Sequence, residues 1–208
     1  MKARFFLPLA VLALFAFSPV SASGANLITF DDLSETANGR YVPNGYQGMV
    51  WSNLWCFNAI LATNRPEVGV SGYYYGMASA SNVVYNAYGT PAEIDSPGTN
   101  FNFLSTYLTG AWNSNLNIEV QGFNDGNLLY STTVVASATS PTPFAFNYLN
   151  IDQLTFNSFG GLPAGFQDTG EHFVMDNFSF EFVPEPSSFL LTGAGVLTLC
   201  AFRKCRRA

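Results

Sequence analysis

Leu116-Asn-Ile-Glu-Val-Gln-Gly-Phe123 alternates apolar and polar side chains. In an extended chain residues 116, 118 and 120 then share one face and 117, 119 and 121 the other. Asn124-Asp125-Gly126-Asn127 follows, and Asp-Gly supplies the positive-φ positions of a tight hairpin before the chain resumes at Leu128. Working outward, residues 27–182 keep the same character: short apolar or aromatic runs separated by Gly, Asn, Pro, Asp and Ser clusters, with no long 3.6-residue period. Strands are predicted at 27–30, 49–55, 83–86, 103–109, 115–123, 128–135, 144–146, 151–156 and 173–182. A spacing of roughly ten residues, without internal repeat or propeller signature, predicts an all-β, jelly-roll-like β-sandwich.

Apolar residues make up 48% of the 208 and charged residues 11%. The longest apolar runs lie at the two ends, and about 160 residues remain between them, enough for one domain with its own core. Lys2 and Arg4 open the chain, and Arg203, Lys204, Arg206 and Arg207 close it. Between them stand only Arg40 and Arg65 against fourteen acids, a formal balance of −12. Such a body is a poor ligand for nucleic acid or anionic lipid and is better matched to divalent cations. Cys56 is the lone interior cysteine, so no disulfide framework forms there. It reads as a buried, inert thiol, the alternative being an exposed one that pairs between molecules.

Residues 1–22 have the parts of a secretory signal peptide: a basic start, an apolar core from Phe5 to Phe17, and Ser18-Pro19-Val20-Ser21-Ala22 ahead of a cut by signal peptidase after Ala22, with Ala25 the next choice. Residues 23–182 form the extracytoplasmic domain, and 183–208 form a tail. The tail runs Val183-Pro184-Glu185-Pro186, an apolar stretch from Phe189 to Phe202, and the basic end. As a helix, Phe189 to Phe202 rises about 21 Å against a hydrocarbon core of roughly 30 Å, which suits a transient inner-membrane hold better than a lasting transmembrane helix. The basic end keeps the last residues cytoplasmic.

This tail resembles the PEP-CTERM sorting signal, with all three parts in order. The resemblance implies that exosortase, a membrane-embedded cysteine protease, recognises Pro184, Glu185 and Pro186 and removes the tail. It also implies a Gram-negative cell that makes exopolysaccharide, with the product at the cell surface or in the extracellular matrix. An ordinary tail anchor behind a Pro-rich linker is the plainer alternative.

The domain resembles the all-β domains that accompany this tail, through Ile28-Thr-Phe-Asp-Asp-Leu33, Tyr46-Gln-Gly-Met-Val-Trp-Ser-Asn53, Phe101-Asn-Phe-Leu-Ser105 and Phe173-Val-Met-Asp-Asn-Phe-Ser-Phe180. Similar opening and closing strands occur in sandwich carbohydrate-binding modules, where the closing-strand Asp is often a calcium ligand; the resemblance implies that role for Asp176. Hard cations need several oxygens, and Asp31 and Asp32 become neighbours of Asp176 if the first and last strands pair. The alternative is that these acids are solvated or cap turns.

Sugar rings stack on aromatic faces, and Tyr73, Tyr74 and Trp112 are the candidates for such a platform. Trp51 is expected in the core, and Trp51, Asn53 and Trp55 are expected on one side of a single strand. Catalytic groups are scarce. His172 is the only histidine and reads as a surface or turn residue, and no nucleophile or zinc motif is present. A structural or adhesion protein of the extracellular matrix is therefore the first expectation, a carbohydrate-binding module the second, and a polysaccharide-active enzyme the third.

Overall fold

The computed structural model describes residues 24–33 and 36–184. The predicted signal helix, the sorting helix, Glu185 and Pro186 lie outside them. The strands run β1 (Asn26–Ile28), β2 (Arg40–Tyr41), β3 (Val50–Ser52), β4 (Leu54–Asn58), β5 (Asn82–Asn86), β6 (Ala92–Asp95) and β7 (Phe101–Gly110). They continue with β8 (Asn113–Ser114), β9 (Leu116–Asn124), β10 (Asn127–Ala136), β11 (Thr142–Ile151), β12 (Gln153–Phe159), β13 (Leu162–Pro163) and β14 (Phe173–Phe182). Two one-turn helices, α1 (Ala59–Ala62) and α2 (Gly72–Tyr75), lie between β4 and β5. Among the described residues no helix is long and apolar enough to cross a membrane.

One sheet has the order β11-β7-β14-β5-β4-β2, with β1 also on β14; the other has the order β10-β9-β12-β6-β3. The pairings are antiparallel; β1–β2, β4–β5 and the β9–β10 hairpin stay within one sheet, and the remaining steps between successive strands of the two sheets change sheet. The sandwich core is shared by both sheets. Phe103 stacks at 4.9 Å on both Phe146 and Phe178, while Leu116, Ile118, Val120, Leu154 and Phe156 close it from the other side. Fully burying a side chain of this size contributes about 1.5–3 kcal/mol, so the phenylalanine-rich centre carries much of the stability.

The alternation of residues 116–121 is realised in β9, and Asp125 and Gly126 turn the hairpin with φ of 49° and 74°. The first strand pairs with the last, Ile28 opposite Phe178. Three expectations are corrected. Residues 49–55 are not one strand: the chain crosses from one sheet (β3, paired with β6) to the other (β4, paired with β2 and β5) at Asn53. Asn53 has φ 55°, and its Nδ2 donates to Ala87 O, Thr90 O, Thr90 Oγ1 and Pro91 O at 2.8–3.2 Å. Next, the strand at 144–146 belongs to the ten-residue β11, whose register breaks at left-handed Asn147 and Asn150. Finally, four strands lie outside the predicted set: β2, β8 and β13 are two residues long, and β6 alternates over only four.

A second core lies on the outer face of the larger sheet. Cys56, Val84 and Met175 point into the sandwich, and their neighbours Phe57, Val83 and Val174 point out. Ala59, Ala62, Val68, Tyr73, Ala111 and Trp112 cover them. Close approach is needed here: a Cβ on Gly72 would sit 1.9 Å from Gly110 O.

Candidate functional site

The predicted acids meet different neighbours. β14 gives one edge to two strands in succession, Val174 and Met175 to β5 and Phe178 to Phe180 to β1. At the break, Asn177 is left-handed with φ 51°, and Phe30, just past β1, is left-handed with φ 61°. Asp176 beside it is fully buried. Its Oδ2 accepts from Ala78 N at 2.7 Å and Ser79 N at 2.8 Å, while Oδ1 accepts from Asn177 N at 2.7 Å and Ser79 Oγ at 3.0 Å. Asp176 thus fastens the 78–79 segment to the closing strand. Burial outweighs these donors and pushes its carboxyl up to about 6.

Asp31 Oδ1 accepts from Asn82 N at 3.0 Å, and Asn82 Nδ2 donates to Phe30 O at 2.9 Å. Asp32 turns away and accepts from the Tyr46 hydroxyl at 2.6 Å. Burial and that carboxylate push the Tyr46 hydroxyl pKa upward. Burial, then the charges of Asp31 and Asp176, push the Cys56 thiol up to about 12, so Cys56 is the buried, inert thiol expected.

Calcium fits this knot in part. Among the described residues no three His, Cys, Asp or Glu side chains gather as a metal-binding group. Asp32 faces elsewhere, and four donors already occupy Asp176. Two amide oxygens, Asn82 Oδ1 and Asn177 Oδ1, are nevertheless buried without a hydrogen-bond partner. Asn82 is tied through its backbone N–H to Asp31, and Asn177 follows Asp176 at the break in β14. With Asp31 these are the hard oxygens that calcium takes.

The predicted sugar platform is divided by burial. Tyr73 and Trp112 pack edge to face at 5.3 Å inside the second core, and only Tyr74 keeps an exposed face, beside Tyr75. Trp51 is buried as expected, its Nε1 donating to Tyr46 O at 2.9 Å. Trp55 is not on its side. The sheet change at Asn53 resets the alternation, so Leu54 and Cys56 turn inward and Trp55 outward.

Trp55 stands at the centre of an aromatic row that the linear sequence does not show. Tyr41, its register partner on β2, lies 4.5 Å away ring to ring, and Tyr88 packs edge to face at 6.3 Å. Tyr41 is 66% exposed and Tyr88 77%. Gly39 makes room for the row, since a Cβ there would lie 2.9 Å from Trp55 Cε3 and closer still to the Tyr85 hydroxyl. Tyr88 is left-handed with φ 59° in a short 3₁₀ turn, which aims an isolated aromatic outward. The one signal in the sequence was the parity of Trp55 against Leu54 and Cys56, readable only once the crossing at Asn53 is known.

A polar cleft of about 490 Å³ opens at one end of the sandwich, lined by Asp95, Ser96, Asn100, Asp125, Asp152 and Gln153 among others. Two of its acids are tied into the fold: Asp152 Oδ2 accepts from Asp125 N at 2.8 Å, and Gln153 Nε2 donates to Asp95 Oδ1 at 3.0 Å and to Glu93 Oε1. Burial and the neighbouring Asp95 raise the Glu93 carboxyl. His172 is half-buried rather than a surface residue, and burial lowers its pKa; its Nδ1 is buried without a hydrogen-bond partner.

No protein-family model matches the chain, and no curated protein matches it. Among solved structures it is similar to the family 32 carbohydrate-binding module from C. perfringens NanJ in complex with galactose, at 10% identity over 69% of this chain and 100% of that one, with a TM-score of 0.37. It is also similar to TmCBM61 in complex with β-1,4-galactotriose, at 11% identity over 70% of this chain and 99% of that one, with a TM-score of 0.34. A third similar structure is a module from a family 31 glycoside hydrolase of Clostridium perfringens, at 14% identity over 49% of this chain and 76% of that one, with a TM-score of 0.33. The likeness is too slight to transfer a ligand or a residue role.

Proposed function

We propose that the domain is a non-catalytic carbohydrate-binding module of β-sandwich type. In this reading it is displayed by an exported cell-surface or matrix protein and takes extracellular polysaccharide on the Tyr41–Trp55–Tyr88 row. The observation that carries this is the exposure of the row: large aromatics normally fill cores, and here two rings flank the half-buried Trp55 while remaining mostly open to solvent. Aromatic faces pack against the C–H face of a pyranose, and the exposed Thr90, two residues past Tyr88, supplies a polar group for its hydroxyls. The wrap of strands between sheets is jelly-roll-like in the same reading. The Pro184-Glu185-Pro186 tail sorts the protein through exosortase after signal peptidase has cut; an intact Phe189 to Arg207 segment on the mature protein, seen by intact mass, would refute that part.

The binding test is a glycan array followed by titration with the best soluble oligosaccharide. Tyr88→Asn keeps a residue that tolerates the left-handed turn, and it is expected to weaken binding about tenfold, as is Trp55→Ala, the equivalent of ~1.4 kcal/mol. Tyr74→Ala should leave affinity unchanged. Absence of binding to every glycan, or binding indifferent to Tyr88→Asn, overturns the proposal.

A further inference from the structure

Sheet edges expose unpaired N–H and C=O groups and are ordinarily blunted. Among the described strands of the two sheets, β1, β2, β3, β10 and β11 each leave an edge unpaired, and all but β10 are blunted; β1 is only three residues long. β2 is two residues long and carries Arg40, and β3 is three residues long. β11 contains Pro143 and is broken by left-handed Asn147 and Asn150. β10 is different: it spans ten residues, ends its sheet, and among the described residues pairs as a strand only with β9, touching β11 through side chains such as Tyr130 on Tyr148. Past a bulge at Leu129 it runs Tyr130-Ser-Thr-Thr-Val-Val-Ala136 without Pro, Gly or charge. β-branched residues predominate, and this is the composition that favours strand pairing.

Residues 126–151, covering β10, its loop and β11, contain no charged side chain. Leu128, Leu129, Val135 and Leu149 are exposed along this side. We infer that β10 is a homotypic docking edge, pairing antiparallel with β10 of a second copy to join two five-stranded sheets into one. A second copy suits the edge because of charge. In a two-fold antiparallel pair each side chain near the axis faces its own counterpart, so any charge there would oppose itself. The body carries a formal −12 between its basic ends, so two copies approach most easily through a surface without acids. Registers that set even residues opposite even ones keep Tyr130 and Val134, which pack on the core, on the inner face of both copies. This inference does not depend on the sugar-binding reading.

Thr133→Lys separates pairing from folding. Thr133 is exposed and lies opposite Glu119 on β9, so a lysine there gains a cross-strand partner within its own copy while adding like charges across the two-fold. The full chain in mild detergent is examined by light scattering and by concentration-dependent amide exchange. The unsubstituted chain is expected to give a dimer whose β10 amides gain protection as concentration rises. Thr133→Lys is expected to weaken the dimer at least tenfold with an unchanged or higher melting temperature. The control Asn157→Lys, on exposed β12 surface, should remain dimeric. A monomer at every concentration, or a dimer equally tight in Thr133→Lys, overturns the inference.

Discussion

Asp176 makes a stability prediction whose sign runs against the usual carboxylate. Its carboxyl is fully buried and sits near 6 in the folded protein, against 3.8 for a free side chain. Below about pH 4 both states hold the proton and the group costs nothing. Between about pH 4 and pH 6 the unfolded chain ionises while the folded one does not, so folding weakens by ~1.4 kcal/mol per pH unit. Above pH 6 both are ionised and the cost levels off at about 3 kcal/mol. Stability contributed by this group therefore falls as pH rises through the window and is flat beyond it. Asp176→Asn removes the titration. Its single carbonyl can keep Ala78 N and Ser79 N, as Oδ2 does now, but its amide faces Asn177 N donor to donor, a penalty of about 1–3 kcal/mol at every pH. The variant should be clearly less stable than the parent near pH 4 and close to it near pH 7. Urea midpoints of both proteins, followed by tryptophan fluorescence in EDTA at steps from pH 4 to pH 8, measure the difference. Parallel pH profiles, or a gap that widens with rising pH, would refute the reasoning.

Two further outcomes follow from the same geometry. Asn53→Ala puts a Cβ-only residue at φ 55° and strips the donor from the carbonyls around Thr90; a loss of about 2–3 kcal/mol is expected, with Asn53→Gly milder because only the hydrogen bonds go. If calcium binds at Asp31, Asn82 and Asn177, a concentration 100 times Kd should raise stability by roughly 2.7 kcal/mol over EDTA, several degrees in Tm. Asp31→Ala should abolish that rise and Asp32→Ala should not; identical melting in calcium and EDTA would leave the knot held by its hydrogen bonds alone.

The sequence by itself determined the fold class and most of the long strands. Alternation in residues 116–121 and the Asp125-Gly126 turn are local properties, set by the two-residue pleat and by which residues tolerate positive φ. It also placed Trp51 and Cys56 inside, because large apolar groups are buried wherever a core exists. Which aromatics stay outside was decided only in three dimensions. Tyr73 and Trp112 were platform candidates, yet Gly72 lets the 59–77 excursion close on the outer face of the larger sheet and bury them. Tyr41, Trp55 and Tyr88 are far apart in the chain and meet because Asn53 moves the strand from one sheet to the other, shifting the inward parity by one residue. Likewise, pairing of the first and last strands entered the sequence reading only as a condition, and the partners of Asp31, Asp32 and Asp176 not at all. A carboxylate's partner depends on which backbone N–H and hydroxyl groups the folded chain brings within 3 Å or so, and one-dimensional spacing does not record that.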